Sequence, residues 1–455
     1  MSALLVLDAD VVTMDADRRV VAGASIAVSD GLVAAIGTAG DLRARYPGAD
    51  ELDARDCVVI PGMIDAHQHT TGDPLVRSMI PDDISSDESI FDWVVPLHAV
   101  HGGDDDELSA TITAVDALTR GVTTLLEPGA VASPLRVAAG LEKAGVRGRV
   151  GGWGWDVDGM PFAGPPDEVL ARQEETVKAL APSRLVTGWV TLVGHDLASD
   201  ELFAGAADLA ARLDVGLTLH MSPGENDIAS YAKRSGLRPI EHLDRLGVLS
   251  PRLVLGHAVW LDDRELELVL AARAAIASSP GAYLRLGQGY TRAGRHGEFV
   301  RRGGRLALGC DSHNAGDVPD VLHAAYLLAA LERDRGSHPL RADEVFALAT
   351  IDGAEAIGAG SALGSVEVGK AADLAVLDTR SIAWTPRGDL ALQLVWGGGS
   401  GSVRDVLVDG EVVVRDRRPT RVDIDALRAE AADRSASLLA RAGISVPHKW
   451  TVVQP

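Results

Sequence analysis

Apolar and polar positions along the chain follow two different periods. Over residues 1–60, short apolar stretches at 4–7, 11–14, 25–29 and 32–36 alternate with turns rich in Asp, Gly and Arg, which predicts a β-rich segment. The same style returns over 363–418, where stretches at 373–377, 402–408 and 411–415 surround an Asp409-Gly410 hairpin signal. Between them, apolar runs at 62–69, 122–128, 148–156, 186–193, 216–222, 253–259, 274–280 and 305–312 alternate with amphipathic stretches at 104–119, 134–144, 167–180, 199–213, 262–272 and 318–333. Alternation at that spacing means parallel strands joined by right-handed crossovers, and eight repeats predict an α/β fold with a (β/α)8 TIM barrel. No glycine-rich dinucleotide fingerprint opens a helical stretch, which argues against an open doubly wound sheet. The expected organisation is a barrel of residues 61–362 and a small β-sandwich domain built from both termini, residues 1–60 and 363–455. The C-terminal part includes a covering helix over 421–442 and a tail over 449–455.

Composition agrees with this division. A chain of 455 residues is too long for one small core and long enough for a large barrel plus a smaller domain. With 46% hydrophobic and 24% charged residues it reads as a globular protein. A net charge of −22 argues against nucleic acid and anionic membrane surfaces as partners, but leaves a small-molecule substrate open. No stretch approaches the ~20 apolar residues of a membrane span. The start, Met1-Ser2-Ala3-Leu4-Leu5-Val6-Leu7-Asp8, lacks the basic region of a signal peptide, so a cytoplasmic location is expected. Cys57 and Cys310 both lie in apolar surroundings and are expected as buried free thiols.

Candidate chemistry sits at the ends of the central runs. Residues 62–66 read as a short buried strand, followed by His67 and His69. Side chains at i and i+2 of an extended chain point to the same side, so two imidazoles are delivered to one point, as a divalent metal needs. The fifth run ends at His220, the sixth carries His257 and the eighth ends at Asp311. In a parallel barrel the C-terminal strand ends share one face, so these residues are expected to converge despite their distance in sequence.

These residues carry a resemblance. Pro61-Gly62-Met63-Ile64-Asp65-Ala66-His67-Gln68-His69 is similar to the first-strand motif of the amidohydrolase superfamily, in its single-metal deaminase and chlorohydrolase branch. The stretch from Val76-Arg77-Ser78-Met79 to Phe91-Asp92-Trp93 resembles that branch's loop after strand one. Residues from Pro239-Ile240-Glu241-His242-Leu243 to Leu255-Gly256-His257 resemble its approach to strand six, and Gly364-Ser365-Val366-Glu367-Val368-Gly369-Lys370-Ala371-Ala372-Asp373-Leu374 its return into the sandwich. The resemblance implies that His67, His69, His220 and Asp311 hold one divalent metal, Zn2+ with Fe2+ as the alternative. It implies that His257 contacts the attacking water or the substrate. Two-metal relatives use a carboxylated lysine on strand four, and residues 186–193 contain none, which favours a single ion. Asp311 is then expected to take the proton of a metal-activated water that attacks an sp2 carbon.

The chain departs from the branch at the general acid. Relatives carry a glutamate three residues after the strand-five histidine, and Pro223 stands there. Glu225, two residues further on, and Glu127, at the end of the second run, are the candidate acids. By resemblance His195 is placed to contact substrate, and Gln68, Trp93, His98, Trp155, Arg285 and Gln288 are further candidates for the pocket. Ser279-Pro280-Gly281-Ala282-Tyr283 replaces the family's usual stretch after strand seven, which points to an unusual substrate. The expected activity is metal-dependent deamination of an amino-substituted heterocycle or cyclic amidine. The alternatives are hydrolysis of a cyclic amide or a C–Cl bond and, from another class, a non-catalytic scaffold. A homo-oligomer is expected by resemblance.

Overall fold

The computed structural model describes residues 3–316, 318–451 and 453. The N-terminal strands are β1 (Leu4–Val12), β2 (Val20–Ser29), β3 (Leu32–Gly37), β4 (Asp50–Asp53) and β5 (Cys57–Pro61). The central strands are β6 (Met63–Asp65), β7 (Val122–Leu126), β8 (Arg147–Val150), β9 (Val186–Gly188), β10 (Val190–Gly194), β11 (Leu217–Met221), β12 (Leu253–His257), β13 (Ala275–Ser278) and β14 (Arg305–Leu308). The chain returns through β15 (Leu374–Asp378), β16 (Val403–Val408), β17 (Glu411–Arg415) and β18 (Arg418–Pro419).

The central strands form two parallel sets, β6-β7-β8-β9 and β10-β11-β12-β13-β14. Most are buried along their whole length, as strands covered on both faces must be. β9 and β10 are one extended run interrupted at Trp189, whose N–H still donates to the Val150 carbonyl at 2.9 Å. At the other edge, the Ala66 N–H donates to the Leu308 carbonyl at 2.8 Å, and Gln68 pairs with Asp311 in an isolated parallel bridge. The helices fall where the apolar periodicity places them. Asp200–Leu213 shows why: Ser199 caps it by accepting from the Leu202 N–H at 3.0 Å, and Leu202, Phe203, Ala206, Leu209 and Ala210 form its buried stripe. It ends where Asp214 turns left-handed.

Both termini do enter one sheet. Its nine strands include the order β18-β17-β16-β15-β5-β1-β2-β3, with β4 paired to β1. β15 returns antiparallel to β5, Ala375 opposite Ile60. The Asp409-Gly410 hairpin is present between β16 and β17, with φ of 52° and 78° at its two turn residues, the conformation that matches strand twist. One difference from the sequence pattern lies in β1. Stretches 4–7 and 11–14 read as two strands, but Leu4–Val12 is one strand whose register shifts between Val6 and Ala9 around an exposed Asp8 at φ 61°. The aspartate that looks like a turn is a bulge. Cys57 and Cys310 are buried and free. Among the described residues no helix is long and apolar enough to cross a membrane.

Arg147 ties the central strands to the terminal sheet. Its guanidinium holds Asp373 through two bonds, 2.8 and 2.9 Å, and reaches Asp409 at 3.2 Å. The Asp373 side chain is only 3% exposed. Arg147→Ala leaves that carboxylate without its counter-charge, holding only the Asp409 N–H at 2.8 Å, and is expected to lower unfolding free energy by about 3 kcal/mol. A urea titration checks this; an unchanged midpoint would contradict the assigned role.

Candidate metal centre and active site

Four histidines and an aspartate meet at the C-terminal ends of β6, β11, β12 and β14. The Asp65 carboxylate accepts from the His67 N–H at 3.2 Å and the Cys310 N–H at 3.1 Å, and the Asp311 N–H donates to the His67 carbonyl at 2.8 Å. These bonds lock the chain around His67 to the chain around Asp311. The parallel register sets His220 opposite Gly256 and Met221 opposite His257. Five residues at the ends of β10, β11, β12 and β14 have left-handed backbones: His195 at φ 52°, Ser222 at 53°, His257 at 75°, Ala258 at 46° and Asp311 at 66°. Each such residue stores about 1–3 kcal/mol, and such strain clusters where side chains are aimed for a purpose.

The side chains converge closely. His67, His69 and His220 offer ligand atoms within 4.8 Å of one another, and so do His67, His257 and Asp311. Asp311 Oδ1 lies 3.5 Å from His69 Nε2 and 3.9 Å from His67 Nε2, and Oδ2 lies 3.9 Å from His257 Nε2. His220 Nδ1 donates to the Val193 carbonyl at 2.7 Å, which leaves Nε2 as a lone pair, 3.1 Å from His69 Nε2. His67 is fully buried, yet neither of its ring nitrogens has a hydrogen-bond partner. Burial pushes the His67, His220 and His257 imidazoliums far down, with neighbouring imidazoles adding to it, and His69 down to about 4. Burial pushes the Asp311 carboxyl up to about 7, helped by the charge of Asp73. Orphaned imidazole lone pairs facing a desolvated carboxylate make a donor set that fits one divalent cation.

His67 has room only because its neighbours are glycines. A Cβ on Gly256 would stand 2.6 Å from His67 Cε1, and one on Gly309 would stand 2.6 Å from His67 Cβ.

The other sequence candidates divide. His195 stacks on His220, ring centroids 5.4 Å apart, and is therefore part of the group. Its Nδ1 lies 3.0 Å from Asp227. Burial works against its imidazolium, but Asp227 outweighs burial and raises it. Glu127 is buried 3.8 Å from His69 Nδ1, its carboxylate accepting from the Gly129 N–H at 2.8 Å and the Ala130 N–H at 3.4 Å. Glu225 does not join them. It opens the helix Glu225–Ser235, is exposed, and lines an outer cleft with Trp260 and Arg292. Helical periodicity turns Asp227 and Tyr231 inward instead. Glu225→Gln is accordingly expected to leave kcat/KM within about twofold of wild type, the range of a surface change; a larger loss in a steady-state assay would restore it as an acid.

His98 and Trp155 are buried in an aromatic cluster together with Trp153 and Phe162. Trp153, which the sequence did not single out, is the hub. It lies 4.8 Å from His98 and 5.0 Å from both Trp155 and Phe162, and its Nε1 is buried without a partner. Gln68 is buried with its amide nitrogen turned back to the His69 carbonyl at 3.0 Å. Trp93 is half-buried on the helical turn Ser89–Val94, and Arg285 is half-buried at the end of the helix Pro280–Arg285. The Gln288 carbonyl accepts from Trp260 Nε1 at 2.7 Å.

Comparison with known proteins fits this geometry. The chain is 29% identical over 424 residues to a 5-methylthioadenosine/S-adenosylhomocysteine deaminase of Syntrophobacter fumaroxidans, covering 93% of this chain and 95% of the relative. It is 32% identical over 290 residues to an S-triazine hydrolase of Gordonia rubripertincta, covering 62% of this chain and 58% of that protein. The crystal structure of an adenosine deaminase from Xanthomonas campestris with bound zinc superposes with a TM-score of 0.90 at 26% identity, covering 96% of this chain and 98% of the other. A short stretch, residues 26–49, matches an imidazolonepropionase-like composite domain of bacteria. The amidohydrolase family model matches residues 58–413, which include every proposed ligand, and the chain therefore belongs to the amidohydrolase family.

Proposed function

We propose that this protein is a metal-dependent aminohydrolase that releases ammonia from an amino-substituted planar heterocycle. The observation that carries the reading is the convergence of His67, His69, His220 and Asp311 on one point, in a chain whose relatives include deaminases. We assign those four residues to one ion, taken to be Zn2+, in keeping with the zinc in the adenosine deaminase structure. Such an ion lowers the pKa of a water towards about 7 and so supplies a nucleophile at neutral pH.

The chain's own groups supply the remainder. Asp311 takes the proton of the attacking water, and His257, 3.9 Å from it, hydrogen-bonds the attacking oxygen. Glu127, fixed by two backbone N–H groups, orients His69 and is the nearer of the two candidate acids. We further propose that the two parallel strand sets close into one (β/α)8 barrel over residues 61–362, and that the segments 1–60 and 363–455 form a β-sandwich beside it.

A panel of aminated heterocycles tests the reaction class, beginning with 5-methylthioadenosine and S-adenosylhomocysteine, which the deaminase relative's name supplies. Ammonia release equal to substrate consumption supports deamination. The similarity to an S-triazine hydrolase and the loss of the usual glutamate at Pro223 favour a second reading, hydrolysis of another ring substituent. Product without ammonia, or chloride from a chlorinated ring, would select it.

A further inference from the structure

His195 is held more tightly than a residue that merely borders a pocket. Its left-handed backbone, φ 52°, persists only where neighbours over-determine it, and three neighbours do. Its N–H donates to the His220 carbonyl at 2.9 Å. Tyr231 Oη donates to the His195 carbonyl at 2.6 Å. Asp227 flanks the ring, its carboxylate oxygens 3.0 and 3.2 Å from Nδ1. Asp227 and Tyr231 stand four residues apart on the helix Glu225–Ser235 and are its buried residues, so two successive turns grip one histidine. Asp227 is itself anchored, accepting from the Ser222 N–H at 2.7 Å.

An ionised carboxylate only accepts hydrogen bonds. The nitrogen it faces is therefore the protonated one; Asp227 also favours the imidazolium, but a divalent cation held by the adjacent His220 would oppose a second positive charge, and in the neutral ring the other nitrogen carries the lone pair. We propose that Asp227 is a positioning residue that fixes His195 as the Nδ1–H tautomer, so that His195 Nε2 meets the substrate beside His220 as a hydrogen-bond acceptor. The substrate class follows: the edge of the heterocycle that lies against His195 bears an N–H or O–H, and a ring with only a bare nitrogen there sets two lone pairs against each other. The role of the substrate rests on the aminohydrolase reading; the tautomer does not.

The test uses zinc-loaded protein carrying 15N-histidine, with His195→Asn to identify the His195 signals. The expected wild-type spectrum is that of the Nδ1–H form, and Asp227→Ala shifts it towards the Nε2–H form. In Asp227→Ala, and in the shape-conserving Asp227→Asn, kcat/KM falls about 10–100-fold while zinc content is unchanged, the size of loss seen when an orienting partner is removed. A wild-type His195 in the Nε2–H form, or as the imidazolium with both nitrogens protonated, overturns the proposal, and so does kcat/KM within twofold of wild type in both variants. A wild-type enzyme that releases no ammonia from any aminated heterocycle defeats the aminohydrolase reading alone, and the nitrogen spectrum still decides this one.

Discussion

Asp311→Asn is expected to lose about 10²–10⁴ in kcat, the contribution of a positioned general base, while keeping its fold. The substitution changes one atom in a buried side chain. An amide cannot take the proton from the attacking water, whereas the carboxylate, 3.5 Å from His69 and 3.9 Å from His257, is placed to do so. The backbone tolerates the change. Asp311 sits at φ 66°, a conformation asparagine adopts more readily than most residues, and its N–H bond to His67 is a main-chain bond. Steady-state ammonia release beside a thermal melt checks both halves. An asparagine variant turning over within tenfold of wild type would remove Asp311 from the proton path.

Gly256→Ala is expected to have the second-largest effect, although glycine 256 bears no chemistry. Its new methyl group would overlap the buried His67 ring, at 2.6 Å from Cε1 and 2.8 Å from Nδ1. The ring cannot retreat, because Gly309, just after β14, closes on His67 Cβ. Neither backbone nor ring lies at a flexible tip, so the overlap must be relieved by moving a ligand. Overpacking of this kind costs about 1–3 kcal/mol, and displacing a ligand lowers metal affinity by at least the roughly 10–100-fold that follows loss of an orienting partner. Competition for zinc against a chelator measures the second quantity. Affinity equal to wild type would show that His67 is not held where the ion needs it.

Much of the centre was legible in the sequence because one topological rule governs it. Alternating strands and helices put the C-terminal strand ends on one face, and His67, His69, His220, His257 and Asp311 all stand at such ends. What escaped was set by local geometry. Glu225 drew attention as the first carboxylate after the Pro223-Gly224 turn, but the helix begins on it and points it outward. Asp227 faces inward because it shares a helical face with Tyr231, a pairing readable at spacing four once the helix start is known. Trp153 escaped beside Trp155 because the segment 151–157 is irregular, and without a regular period no alternation says which tryptophan is the hub. The joining of β15 to β5 was foreshadowed only by the shared β-rich style of the two ends, since pairing across some 300 residues of chain leaves no local signal of register.

The central claim, one ion held by four side chains for hydrolytic deamination, is tested most directly by reconstitution. Wild-type protein is stripped with a chelator and titrated with Zn2+ while ammonia release from 5-methylthioadenosine and related amino-heterocycles is followed. The account predicts no ammonia from the stripped protein and a rise that saturates at one zinc per chain. Undiminished ammonia release without metal, or a chain that takes up no ion, would contradict it.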